Sequence, residues 1–211
     1  MASIIKVNDI QNSSGANIIN ESSNTITIGA SGDTVSVPSG ATFDVSNATV
    51  NGIQAGITEA DQWRLTTNFT GDATPIASNL ERVDGAGQGT LGTGMTESSG
   101  IFTFPSTGIW YVQFNVYTFH NTGNWYHTLT IQVTTNNSSY STRSAGEAWG
   151  TQAGEPQTFY SSGSTNTLVD VTDTTQVKVR FTIDAFSGTA TTSGNTNLNE
   201  TYMTFIRLGD T

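Results

Sequence analysis

The chain contains no cysteine. Disulfide stapling, thiolate metal sites and a thiol nucleophile are therefore excluded. Charge is scarce too: Asp, Glu, Lys and Arg make up only 11% of the 211 residues, against about 25% in ordinary globular proteins. Just seven residues are basic, scattered as Lys6, Arg64, Arg82, Arg143, Lys178, Arg180 and Arg207. So dispersed a set cannot neutralise a run of phosphates, so nucleic acid is not expected as a partner, nor an anionic membrane surface. No apolar run approaches the ~20 residues of a membrane-crossing helix, and membrane insertion is not expected. Met1-Ala2-Ser3-Ile4-Ile5-Lys6 lacks a basic segment followed by an apolar stretch, so no secretory signal is expected there. Leu, Ala, Glu and Lys do not recur in helical periodic blocks, which argues against long amphipathic helices.

What fills the composition is Thr, Ser, Asn and Gly, with 22 glycines. Thr suits a pleated surface, and Gly, Asn and Ser suit tight turns, so the expected class is all-β. A net charge of −10 favours solubility. A chain with the composition of an extracellular β protein but no expected secretion signal fits a virion component, assembled in a host cytoplasm and exposed only after lysis.

Three stretches are expected. Residues 1–24 carry one apolar set (Ile4, Ile5, Val7 and Ile10), a Ser13-Ser14-Gly15 break, then Ile18-Ile19. That is too little for a core of its own, so the segment is expected to be held by sister chains or by another virion protein, as an anchor. Residues 25–59 repeat an apolar-polar-apolar triplet followed by a turn: Ile26-Thr27-Ile28, Val35-Ser36-Val37, Phe43-Asp44-Val45, then Val50 before Asn51-Gly52. Such units bury their faces only by stacking, as in an intertwined trimeric β-shaft; the alternative is a flexible linker. Residues 60–211 read as one domain of short strands, with candidates at 62–69, 80–84, 100–104, 109–119, 125–134, 166–171, 175–184 and 200–207. The run Ile109–Phe119 is dense in aromatic and β-branched residues, as a central strand requires. Gly123-Asn124 predicts a hairpin joining it to 125–134.

The block Gly100-Ile101-Phe102-Thr103-Phe104-Pro105-Ser106-Thr107-Gly108-Ile109-Trp110-Tyr111 resembles the C1q-like signature, in which Gly-x-Phe precedes a proline and then Gly-x-Tyr/Trp-Tyr/Phe. Thr201-Tyr202-Met203-Thr204-Phe205-Ile206-Arg207-Leu208 resembles the closing strand of the same family. The resemblance covers about 60–211. It implies a C1q/TNF-like antiparallel jelly-roll sandwich that forms a homotrimer at the end of a stalk, with Trp110, Tyr111, Phe114, Tyr202 and Phe205 on trimer or core strands. No Gly-X-Y repeat precedes the head, so the stalk would be β-structured. Ile4-Ile5-Lys6-Val7-Asn8-Asp9-Ile10-Gln11-Asn12 also resembles the leader of tail or head fibre proteins of marine phages.

Reactive chemistry is thin. His120 and His127 are the only histidines. Across a Gly123-Asn124 turn they would face each other with Cβ atoms ~5 Å apart, either as half a zinc site or as a structural pair; no third ligand is nameable, and no cofactor is expected. Carboxylates at Glu59/Asp61, Glu147, Glu155, Asp170/Asp173 and Asp184 would need a separation of ~5 or ~6.5–9.5 Å to act as a glycosidase pair. There is no Gly-x-Ser-x-Gly, P-loop or His-Glu-x-x-His motif, and no enzymatic activity is expected. The polar segment 135–166 reads as a long loop carrying Tyr140, Trp149, Phe159 and Tyr160. Aromatics in a polar loop suit stacking against a host-surface glycan or receptor, or else anchor the loop to the core. The expected protein is a structural, adhesive phage fibre. A glycan-degrading tailspike and a cellular C1q-like lectin are the alternatives.

Overall fold

The computed structural model describes residues 9–11, 13–15, 17–23, 25–29, 31–45, 56–121, 125–150, 158–185 and 190–211. The chain divides into two compact units, Met1–Gln54 and Ala55–Thr211.

In the first unit, β1 (Asp9–Gln11), β2 (Asn17–Ser22) and β3 (Thr25–Ile28) form an antiparallel meander. Ile10 pairs with Ile19, and Ile19 with Ile28, so three isoleucines share one row. A three-stranded sheet this small leaves them open: Ile10 and Ile28 are exposed, as are Ile26, Val35, Val37 and Phe43. Of the expected triplets, Ile26–Ile28 forms β3, whereas residues 33–45 carry no strand and Val50 lies outside the described residues. Ile4, Ile5 and Val7 lie outside them as well. Ser22 of β2 pairs with Thr25 of β3, and residue 24, where the first boundary is expected, lies outside the described residues.

The described residues of the second unit form twelve strands: β4 (Ala60–Leu65), β5 (Thr67–Thr70), β6 (Leu80–Arg82), β7 (Thr96–Ser98), β8 (Ile101–Thr103), β9 (Gly108–His120), β10 (Trp125–Thr134), β11 (Ser141–Gly150), β12 (Phe159–Val171), β13 (Lys178–Ala185), β14 (Thr191–Asn195) and β15 (Tyr202–Gly209). All pair antiparallel, in two sheets. One runs β11-β10-β13-β8-β7. In the other, β9 takes β12 along one edge, and β15 then β14 along the opposite edge, with β4, β5 and β6 beyond them. No helix occurs among the described residues.

Alternation builds the core. β9 turns Trp110, Val112, Phe114 and Val116 inward. Facing them are Leu129, Ile131 and Val133 from β10 and Val179, Phe181 and Ile183 from β13. Phe102, Phe114, Phe181 and Phe205 form a connected aromatic group with ring centroids 5.0 to 5.9 Å apart, drawn from both sheets. Ring pairs at these spacings add specific geometry to the apolar area they bury.

Two expectations on topology are corrected. β9 and β10 do not form a hairpin; they lie in different sheets. Both edges of β9 are already taken, and both strands present a strictly alternating apolar set that must face the same core, one from each side. Residues 135–166 are also not a loop, since β11 and the first half of β12 occupy most of them. Their small residues serve close packing between these strands. A β-carbon at Gly163 would lie 2.8 Å from the Glu147 carbonyl oxygen and 2.9 Å from Leu129.

Candidate binding surfaces

The outward face of the β9 sheet is laid out in cross-strand rows. Leu168, Tyr111, Ile206 and Ala60 make one; Asn166, Gln113, Thr204 and Gln62 the next; Ser164, Asn115, Tyr202 and Arg64 the third. Further along, Tyr160 stacks on Tyr117 at 5.7 Å and leans on Phe119 at 5.8 Å. The face is apolar or aromatic at both ends and filled with amides and hydroxyls between. Its cation, Arg64, is 1% exposed and neutralised by Glu81 and Asp84, each at 2.7 Å. Hydrogen bonds from Arg64 and Thr196, with the Arg64 charge, hold the Glu81 carboxyl below its ordinary value against a small desolvation cost. A depression of about 460 Å³, lined by Asn115, Tyr117, Ser162, Ser164, Asn199 and Tyr202 among others, lies in the middle. Asn115 Nδ2 and Asn199 Oδ1 are buried without a hydrogen-bond partner among the described residues. The five residues assigned to trimer or core strands are thus sorted by the pleat: Tyr111 and Tyr202 face outward, while Trp110, Phe114 and Phe205 are fully buried in the chain's own core.

The outward face of the other sheet carries a different feature. Trp149 of β11 pairs with Tyr126 of β10, and their rings stack at 5.1 Å with planes 28° apart. The indole is 60% exposed, and its Nε1–H donates to Glu147 Oε2 at 2.7 Å. The adjacent row is Glu147, Thr128 and Asp184. Tyr140 lies elsewhere, just before β11, with the Arg180 guanidinium 4.3 Å from its ring centroid. Burial pushes the Tyr140 hydroxyl above its ordinary value, and the Arg180 charge opposes that. The four aromatics expected to act together in one loop are therefore separated. Trp149 and Tyr160 lie on opposite sheets, Phe159 is half-buried in the inward register of β12, and Tyr140 is held by Arg180. Tyr126, Trp149's stacking partner, was hidden in sequence because pairing with β11 requires β11 to be a strand.

The histidines are both buried and turned inward, from opposite sheets. They are not cross-strand partners: His120 pairs with Phe159, and His127 stands between Ala148 and Ala185. Burial pushes His127 below its ordinary value; a hydrogen bond with the Ala190 backbone raises it, the nearby His120 lowers it and Asp72 raises it. Among the described residues, no three His, Asp or Glu side chains are grouped to hold a metal ion.

Of the carboxylates expected as candidates for a catalytic pair, Glu59, Asp61 and Asp173 serve the backbone and neighbouring side chains, and Glu147 accepts from the Trp149 indole. Glu59 Oε2 accepts from the backbone N–H groups of Thr93 and Gly94. Buried Asp61 accepts from Trp63 Nε1, Arg82 Nε, Thr90 Oγ1 and the Met95 N–H. Asp173 caps a turn by accepting from the Thr175 hydroxyl and N–H, which holds its carboxyl below the ordinary value. Glu155 lies outside the described residues.

No family model matches the sequence. No curated protein matches it. Solved structures do. Eiger TNF from S. frugiperda superposes with a TM-score of 0.51 over 74% of this chain and 96% of that one, at 11% identity. The fold is a TNF/C1q-like jelly roll. Murine APRIL, in structures at pH 5.0 and pH 8.5, is similar at 12% and 13% identity, with TM-scores of 0.49 and 0.48 over 71% of this chain and 98% of each. The jelly-roll class expected from Gly100–Tyr111 and Thr201–Leu208 is thus the architecture found, and at these identities the likeness concerns fold alone.

Proposed function

We propose that the protein is a non-enzymatic virion fibre whose jelly-roll head assembles as a homotrimer and serves host-surface attachment, with the N-terminal unit as its β-structured stalk and virion anchor. The observation that carries this reading is the outward face of the β9 sheet. Leu168, Tyr111 and Ile206 form a continuous apolar row there, and the one cation on the three middle rows is already neutralised within the chain. Contiguous apolar surface with little charge belongs between subunits. The exposed isoleucine row of the N-terminal meander asks for the same burial independently. A threefold assembly is what the C1q/TNF-like resemblance implies. A binding role rather than catalysis is supported by Glu59, Asp61 and Asp173, which are committed to turns and cations. The virion reading rests on the composition and on the phage-like leader.

Light scattering in dilute native buffer tests assembly. Wild type is expected at three times the chain mass, and Ile206→Glu, which puts a carboxylate into the apolar row, is expected at one. A monomeric wild type refutes the assembly. Immunolabelling intact particles with an antibody to residues 60–211 tests the virion assignment, which a label absent from particles refutes.

A further inference from the structure

We infer that Trp149, stacked on Tyr126, is the platform of a binding subsite for a neutral sugar ring, such as a hexopyranose or N-acetylhexosamine unit of a surface glycan. The inference rests on the reading of the head as a recognition module and names its site and ligand class. An indole that is 60% exposed on a regular strand is not placed there by core packing. Two contacts nevertheless fix it: the Tyr126 ring behind it and the hydrogen bond to Glu147. A side chain already held in place loses little rotational freedom on binding. Because Nε1–H is committed to Glu147, the indole offers its π face, which matches the C–H face of a pyranose.

The polar groups beside it define the ligand further. Glu147, Thr128 and Asp184 form the next row on the same face, with both carboxylates exposed. Carboxylates accept hydrogen bonds from sugar hydroxyls and repel carboxylate or sulfate groups. The basic residues of this sheet stand along the strands from that row: Arg143 lies four residues along β11 from Glu147, and Arg180 lies four residues along β13 from Asp184, about 13 Å at strand rise. Arg180 also packs on Tyr140 and donates to Gln132. Sialylated, uronic and sulfated units are thus disfavoured at this subsite.

The test uses the full chain in ligand-observed NMR and calorimetry. The probes are glucose-, galactose- and N-acetylglucosamine-terminated oligosaccharides, with sialyllactose as the anionic comparison and light scattering on the same samples. At least one neutral probe is expected to bind better than sialyllactose. Trp149→Ala should weaken that binding at least tenfold, Trp149→Phe less, and Glu147→Gln several-fold. Trp149→Phe keeps an aromatic ring and serves as the check should Trp149→Ala not fold. The inference is overturned if no neutral probe binds wild type, if sialyllactose binds better, or if Trp149→Ala binds as wild type does. It is overturned too if Trp149→Ala dissociates the assembly, because the indole would then lie between copies. A trimeric wild type that binds no sugar refutes this site alone, whereas a monomeric wild type refutes the assembly and leaves the sugar result to be read by itself.

Discussion

Gly108 packs so tightly against Gly209 that a β-carbon at position 108 would lie 2.4 Å from the Gly209 carbonyl oxygen. Its φ of 137° adds a backbone cost for any other residue. The contact sits where β9 starts beside the end of β15, so it sets how the central strand enters the sheet. Gly108→Ala is expected to destabilise the head by about 2–3 kcal/mol. A β-carbon on Gly209 meets nothing within 4 Å, and Gly209→Ala should leave stability nearly unchanged. Urea unfolding of both variants at one protein concentration checks this; equal midpoints refute the steric account.

Asp61 and Arg82 couple the first strand of the head to the loop before β7. The buried carboxylate takes four donors, from Trp63, Arg82, Thr90 and Met95. Removing it takes the shared acceptor from all four, and the Met95 N–H is left unpaired at a buried position, while the partly exposed Arg82 and Thr90 can turn to water. Asp61→Ala should cost about 3 kcal/mol and expose residues 90–95 to proteolysis. The exposed Glu147→Ala should change stability by less than about 0.5 kcal/mol. A mild Asp61→Ala variant would mean that water replaces the carboxylate.

Class and fold were legible because they rest on large side chains at strict spacing. The Ile109–Phe119 alternation, the Val177–Ile183 alternation and the Gly100–Tyr111 block marked β9, β13 and the jelly roll directly. β11, β14 and the first half of β12 were not legible. Their residues are chiefly Ser, Thr, Gly and Ala, which suit the close approaches at Gly146, Gly163 and Gly194 rather than supplying apolar area. Missing β11 had two consequences. It left Trp149 in an expected loop, and it left one edge of β10 open, so Gly123-Asn124 read as the turn of a hairpin. Tyr111 and Tyr202 could not be told from Trp110 and Phe205 as outward residues until the sheet assignments set which face is the core.

Phe181 is the junction of the core. From β13 it reaches Phe102 on its own sheet and Phe114 and Phe205 on the other, at 5.4, 5.0 and 5.9 Å. Phe181→Ala leaves a cavity between the two sheets that the other three rings cannot fill without leaving their rotamers. The expected cost is about 3–5 kcal/mol, with loss of the near-ultraviolet circular dichroism of the packed rings. Phe181→Leu keeps most of the volume and should cost less than half as much. Near-equal effects would show that the ring contacts matter more than the volume.

His127 should make the head acid-sensitive in a defined window. It is fully buried, and desolvation holds its pKa below the ordinary 6.5. The groups acting on it are His120 on β9, Asp72 before the next strand pair and the Ala190 backbone. Between the ordinary value and the lowered one, the unfolded chain binds a proton that the folded chain does not. Stability therefore rises with pH through that window, is independent of this group above about pH 7.5, and falls as pH drops below the ordinary value toward the lowered one. One proton limits the slope to about 1.4 kcal/mol per pH unit. Glu81 and Asp173, whose folded pKa values lie below 4.5 and 3.8, lose their stabilising contributions only on further acidification. Unfolding free energies measured at pH 8, 7, 6 and 5 should thus decline for wild type. His127→Leu, which keeps the site filled and removes the titrating group, should flatten the profile over the same range. An unchanged slope in that variant would assign the acid sensitivity to other groups.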